Sequence, residues 1–182
     1  MTYAATIPSP PPVDGYILQG PTSDRETASL LMPEDFAFNS LKHAEDLVAK
    51  GEENSVMPAA FIPPIFSSPI TAYRWHSLIS VGGDDDFFSS DISASSLQST
   101  FGKLDKPTLI LMSEDDEMVP PTVDKDALLK RWLGAIQEGL ASDGCSIIPS
   151  ADHALTSDQA RRYFTAKVQQ FLKKLEVGVE KH

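Results

Sequence analysis

Residues 106–121 of the chain read KPTLILMSEDDEMVPP, and they contain the clearest strand pattern of the sequence. Its residues 108–112 form a short, continuous run of apolar or β-prone side chains, which is typical of a strand buried on both faces of a parallel sheet. Acidic residues follow at once, at positions 114–117. Because ligands of open α/β sheets bind at the carboxyl ends of the strands, we expect the functional site here.

Two further strand patterns lie on either side of this one, at residues 13–20 and 145–148. Between the first two strands, residues 24–100 are rich in loop signals and are predicted to form a helical lid or insertion. The order strand, insertion, strand, helix, strand, helix is that of an α/β protein. We therefore predict a single partial domain over residues 1–182, with three parallel strands, flanking helices and a lid.

Local signals place the helices and loops of this domain. Residues 23–26 and 156–159 have the pattern of capping boxes, which predicts that a helix begins at each. An apolar stripe predicts a helix over residues 122–140, and Phe164, Val168, Phe171 and Leu175 predict the buried face of the final helix. The proline-rich residues 8–12 are predicted to be a loop that leads into the first strand.

Charge and cysteine content limit the partners of the chain. A net charge of -11 argues against nucleic acid and anionic membranes, which require basic surfaces. The single cysteine, Cys145, can form neither an intramolecular disulfide nor a thiolate metal cluster, so we expect a reducing, cytoplasmic setting. No apolar run is long enough for a transmembrane helix, and the first twenty residues do not have the pattern of a signal peptide.

An acidic run and several aromatic residues each allow two interpretations. The acids within residues 82–86 could bind a hard cation, but they lack the ligand spacing of a calcium loop and are predicted to form a solvated turn. Tyr73, Trp75, Phe87 and Phe88 could line an acyl pocket, although such aromatics more often pack a lid segment. We predict no metal site and no cofactor.

His153 follows the third predicted strand, as the acids follow the second. An acid and then a histidine are the last two members of a Ser, Asp, His triad in α/β-hydrolase chain order. In that chemistry the histidine accepts the proton of the nucleophile, and the acid fixes the histidine tautomer and stabilises the imidazolium. We assign His153 as the base and Asp116 as its partner, with Asp115 as the close competitor.

Three motifs carry a more specific resemblance. GYILQGPTSDRE, SLISVGGDDDFFSSD and FGKLDKPTLILMSEDDEMVPP together resemble the fungal α/β-hydrolases grouped as domain of unknown function 1749, over residues 11–172. SEDDEMVP resembles the segment that presents the catalytic Asp, with Ser113 where glycine is usual, and PSADHALT resembles the segment that presents the histidine. The resemblance implies a carboxylic-ester hydrolase without a cofactor, acting on a small-molecule ester such as a hydroxamate siderophore.

No G-x-S-x-G motif for the nucleophilic serine occurs in the sequence, and the glycine-rich oxyanion loop is absent. The resemblance therefore covers the carboxyl-terminal half of the family, with Met1 at an internal position. Without a nucleophile and oxyanion donors, hydrolysis by this chain alone is not expected. The alternative is a truncated, non-catalytic interaction module, and an open edge at the first strand would favour self-association.

Overall fold

The sheet of the protein has three strands. The computed structural model describes residues 12–64, 66 and 68–179. Within them the strands lie in the order β1-β2-β3, and both neighbouring pairs are parallel, which confirms the predicted arrangement. The proline-rich loop prediction falls almost entirely on residues outside the described part of the chain. The strands are β1 (Tyr16–Gln19), β2 (Thr108–Ser113) and β3 (Ser146–Ile148).

β2 is the buried centre of the sheet because a strand pairs with it on each side. All of its residues are buried, as its continuous apolar pattern predicts. β1 instead alternates between half-buried and exposed residues, and Ile17 is 39% exposed. In the described part of the chain no strand pairs with the outer side of β1. One edge of the sheet is therefore open there.

The chain divides into two compact units. The first unit contains the described residues up to Pro21 and from Ser90 onward, and the second unit is Thr22–Ser89. The insertion predicted at residues 24–100 differs from the second unit at its far end, because residues 90–100 pack within the first. The second unit contains helices α1 (Asp24–Leu31), α2 (Glu34–Ala49) and α3 (Ala72–Ile79), and the first contains α4 (Ala94–Thr100), α5 (Lys125–Ala135) and α6 (Asp158–Val179).

Side-chain caps fix where two of these helices begin. Ser23 caps α1 by accepting a hydrogen bond from the backbone N–H of Glu26 at 3.0 Å, as predicted. The capping box predicted at residues 156–159 is wrong by one position. Ser157 accepts from the backbone N–H of Ala160 at 3.1 Å, so α6 begins one residue later than expected.

Helix α5 is shorter than the predicted residues 122–140. It begins after Asp124, whose carboxylate accepts from the backbone N–H of Ala127 at 2.9 Å. Beyond its end the backbone turns, and the N–H of Thr108 donates to the carbonyl of Leu140 at 2.7 Å. The carbonyl of Leu140 is therefore bonded to the first residue of β2 and not to a helical N–H. The apolar stripe extends beyond the end of the helix that it predicts.

Each unit has its own hydrophobic core. In the second unit the core surrounds Trp75, whose indole N–H donates to Ser40 at 2.6 Å. In the first unit the central strand packs against the final helix, and the predicted buried face of that helix is confirmed: Phe171 is buried, and Phe164, Val168 and Leu175 pack around it. The same cluster includes Leu111 of β2 and, from the loop after β3, Ala151 and Leu155.

Candidate active site

Asp116 and His153 meet at the carboxyl ends of two neighbouring strands. Asp116 lies in the loop after β2 and His153 in the loop after β3, and His153 Nδ1 is 3.1 Å from Asp116 Oδ2. The Asp116 side chain is 2% exposed, whereas that of His153 is 36% exposed. A carboxylate only accepts hydrogen bonds, so Nδ1 is the donor, and Nε2 of the neutral ring then carries no proton. The two residues proposed from the sequence are thus brought together.

Asp116, the acid assigned from the sequence, and its competitor Asp115 have different contacts. Asp116 is the residue that contacts the histidine ring, and its second carboxylate oxygen accepts from the backbone N–H of Met118 at 3.0 Å. Asp115 is exposed, and its backbone N–H donates to the carbonyl of Ala151 at 2.9 Å. Asp116 therefore contacts the ring through its side chain, whereas Asp115 joins the two loops through its backbone.

Lys125, at the start of α5, holds the loop that carries Asp116. Its ammonium donates to the backbone carbonyls of Ser113 at 3.2 Å and Glu114 at 2.6 Å, and lies 3.5 Å from that of Asp116. An ammonium has three donors, and backbone carbonyls at a tight turn otherwise lack partners. Sequence reasoning missed this residue, because a lysine in a first helical turn has no distinctive pattern.

The loops after β2 and β3 are joined to each other along their length. The backbone N–H of Glu114 donates to the carbonyl of Ile148 at 3.1 Å, and the Glu114 carboxylate accepts from the N–H of Ser150 at 2.7 Å. Farther along, the Glu117 carboxylate accepts from the N–H of His153 at 3.0 Å. The acidic run therefore serves largely to bind the backbone of the histidine loop.

The end of β1 contributes the third side of the site. Gln19 Nε2 donates to the backbone carbonyl of His153 at 3.0 Å. The next residue, Gly20, has a φ of 51°, a conformation that side chains with a Cβ rarely adopt. A Cβ at Gly20 would lie 3.5 Å from His153 Nδ1 and 3.6 Å from Asp116 Oδ2. Glycine here lets the backbone turn directly beside Asp116 and His153.

Hydrogen bonds in the histidine loop lower the pKa of two carboxyl groups. The backbone N–H of His153 is the main cause of the lowered pKa of Glu117. The pKa of Asp152 is lowered mainly by the Thr156 hydroxyl and then by the Thr156 backbone N–H, which donates to Asp152 at 2.7 Å. Both groups are therefore bound more strongly as carboxylates than as acids.

These lowered pKa values make the stability of the loop depend on pH. A group whose pKa is lower in the folded state stabilises the fold fully above its ordinary pKa, 3.8 for Asp152, and loses that contribution as pH falls through the folded value. We expect Asp152→Asn to lower the thermal midpoint at neutral pH, and the difference from wild type to shrink progressively in acid. Thermal unfolding followed by circular dichroism over a series of pH values measures this difference. With Glu138→Gln, an exposed carboxylate, the difference should be small throughout; a pH-independent deficit in Asp152→Asn would contradict the assignment.

The acidic run at residues 82–86 forms a turn, as predicted, but it is not solvated throughout. Asp86 has a side chain only 2% exposed and pairs with Arg25 across 3.3 Å. The two acids before it bond to Tyr73 and Arg74 of α3. The prediction missed this because partners that come from distant helices leave no mark on the run itself. The run anchors its loop to α1 and α3.

The predicted aromatic residues belong mainly to the packing of the second unit. Trp75 and Phe87 are buried, Phe88 is half-buried and Tyr73 is exposed. Among the described residues, no cluster of three or more His, Cys, Asp or Glu side chains is arranged to hold a metal ion. None of the described helices is both long and apolar enough to cross a membrane.

Proteins of known sequence resemble this chain over most of its length. The fusarinine C esterase sidJ from Aspergillus fumigatus is 31% identical, over 90% of this chain and 56% of the esterase. An esterase from Emericella nidulans is 31% identical, over 93% of this chain and 55% of the relative. A Schizosaccharomyces pombe protein is 37% identical, over 75% and 47% of the two chains. The chain thus spans about half the length of the curated relatives it matches.

Two solved structures have a fold similar to that of this chain. The siderophore hydrolase EstB from Aspergillus fumigatus superposes with a TM-score of 0.78 at 29% identity, over 94% of this chain and 62% of that chain. An α/β-hydrolase-fold protein of unknown function superposes with a TM-score of 0.52 at 17% identity, which shows the fold alone. The predicted α/β-hydrolase architecture is confirmed. The family described as protein of unknown function DUF1749 matches residues 1–173, and the chain belongs to it.

Proposed function

We propose that this chain carries the acid and the base of a serine esterase, with Asp116 as the acid and His153 as the base. The observation that carries the proposal is the contact of 3.1 Å between the half-exposed ring and the buried carboxylate. A buried acid on Nδ1 orients the imidazole and stabilises it when it takes up a proton. The exposed side of the ring is then free to receive that proton from a serine.

The nucleophile and the oxyanion donors would come from a polypeptide that pairs with the open edge of β1. Gln19 and Gly20, at the end of this strand, lie beside the acid–base pair, so a further parallel strand would end at the same site. The relatives, about twice as long as this chain, support this arrangement. The rival function is a non-catalytic module that self-associates through this edge, where Ile17 is exposed.

The proposed substrate class is the ester of a hydroxamate siderophore. The support is that two relatives are named as a fusarinine C esterase and a siderophore hydrolase. Hydrolysis of an ester by a serine, a histidine and an aspartate needs no cofactor. We place this activity in the cytoplasm, because the chain has one cysteine and can form no internal disulfide.

A reconstitution tests the proposal. The chain is co-expressed with the half of the Aspergillus fumigatus fusarinine C esterase that it does not match, and the complex is purified. We expect it to hydrolyse fusarinine C and a p-nitrophenyl ester, and a fluorophosphonate probe to label a serine of the added half. Hydrolysis of both esters should be lost in His153→Ala. It should be retained in His43→Ala, a matched control on α2.

Each outcome decides one part of the proposal. Hydrolysis that persists in His153→Ala would overturn the role of this histidine. Hydrolysis of the p-nitrophenyl ester alone would keep the esterase and overturn the siderophore substrate. If no complex forms and the chain sediments as a dimer or larger species, the self-associating module is the better account. Stoichiometric labelling of this chain itself would mean that it contains an activated serine.

A further inference from the structure

The backbone of His153 is held by one side chain from the loop after β2 and one from the end of β1. Its N–H donates to the Glu117 carboxylate at 3.0 Å, and its carbonyl accepts from Gln19 Nε2 at 3.0 Å. One partner comes from the loop after β2 and the other from the end of β1. The backbone of the candidate base is therefore hydrogen-bonded on both sides of its Cα, and its ring also contacts Asp116.

The histidine loop needs such external support because its own backbone is strained. Ser150 and Leu155, which lie on either side of His153, have φ values of 51° and 54°. Non-glycine residues pay for this conformation, and it persists only where surrounding contacts enforce it. Within the loop, the N–H of Leu155 donates to the carbonyl of Asp152 at 3.2 Å, which closes a turn around His153 without fixing the direction of its side chain.

Of Glu117 and Gln19, Glu117 forms the stronger hydrogen bond to the His153 backbone. Its acceptor is charged, and hydrogen bonds to ionised acceptors are about twice as strong as neutral ones. The lowered pKa of Glu117, for which this bond is the main cause, is consistent with that strength. Glu114 provides an internal comparison: the same residue type in the same loop binds the N–H of Ser150 instead.

We propose that Glu117 is a positioning residue of the candidate active site, which directs the ring of His153 onto Asp116 by holding the His153 backbone N–H, with Gln19 as the opposing contact. The inference rests on the proposed function, because a positioned base matters only in a catalytic site. The hydrogen bond of Glu117 goes to the backbone N–H of His153, so Glu117 acts through that residue. Glu114, which binds the N–H of Ser150, is expected to stabilise the same loop without setting the direction of the ring.

The test reads the histidine ring directly. In the full chain, labelled with ¹⁵N-histidine, the ring nitrogen shifts report the populations of the two tautomers, and His153→Ala identifies the signals. We expect Glu117→Gln to raise the ratio of the Nε2–H to the Nδ1–H form of His153 by up to about fivefold, the factor reached if the full charge assistance of this hydrogen bond favours the Nδ1–H form. Gln19→Met, which keeps the shape and removes the donor, should change the ratio in the same direction but less.

The matched control is Glu114→Gln, which removes the same charge from the same loop. We expect urea unfolding to show similar losses of stability for Glu114→Gln and Glu117→Gln, with a changed tautomer ratio in Glu117→Gln alone. An unchanged ratio in Glu117→Gln, or an equal change in Glu114→Gln, would overturn the proposal. This readout needs no nucleophile, so failure of the reconstituted esterase would leave it intact and would count against the proposed function instead.

Discussion

Asp116→Asn is expected to reverse the tautomer of His153 and to lower the turnover of the reconstituted esterase by about 10⁴-fold. The carboxylate of Asp116 accepts from Nδ1 across 3.1 Å, so in the neutral ring Nε2 carries no proton. A carboxamide can donate its N–H to Nδ1, and the ring then carries its proton on Nε2, where it cannot act as a base. The shape of the site is otherwise preserved, because Asn and Asp are nearly isosteric.

Two measurements check this expectation independently. The ¹⁵N shifts of the ring should show the Nε2–H form in Asp116→Asn in the chain alone, and hydrolysis by the complex should fall. Asp115→Asn is the control, since this neighbouring side chain is exposed and the ring contacts Asp116 instead. If both variants kept the wild-type tautomer, or if Asp115→Asn had the larger effect, the assignment of the acid would be wrong.

Leu111→Ala is expected to cause a large loss of stability in the first unit, about 2–5 kcal/mol in the free energy of unfolding. Leu111 lies in the central strand, pairs with Gln19 on one side and Ser146 on the other, and has no exposed surface. Removing its side chain leaves a cavity that the paired strands cannot collapse into. Since Ala151 of the histidine loop packs in the same cluster, that loop should also loosen.

Urea unfolding measures the global effect, and amide exchange at residues 150–155 measures the local one. Leu172→Ala on α6 is the matched control, because Leu172 is 46% exposed and surface substitutions usually change stability by less than about 0.5 kcal/mol. A loss in Leu111→Ala as small as that of the control would mean that the sheet is not tightly packed at this position.

The sequence predicted the features that depend on local patterns. The unbroken apolar run of β2 identifies a strand covered on both faces, and parallel strands place the residues that follow them at one edge. An acid after β2 and His153 after β3 are therefore predicted to lie close together. The sequence favours Asp116 but leaves Asp115 as a competitor, because the direction of a side chain in a turn depends on backbone bonds such as the one from Met118 to Asp116.

The features that the sequence did not predict depend on contacts between distant residues. Lys125 and Gln19 bind backbone carbonyls, and any polar side chain could do so in a suitable place. Helix α4 has a serine-rich sequence with weak periodicity, and it is held mainly by the burial of Leu97 and by Ser93 at its start. Tertiary packing overrides weak helix propensity in such segments.

The parallel pairing of β1 with β2 has a consequence for the order of folding. Tyr16 pairs with Thr108 across roughly 90 residues of chain, whereas Asp116 and His153 are 37 residues apart. Closing the longer loop costs about 0.8 kcal/mol more in chain entropy. We therefore expect β2, β3 and their two loops to associate first and β1 to dock late. The acid–base pair would then form early in folding, and the edge open to a further strand would be completed last.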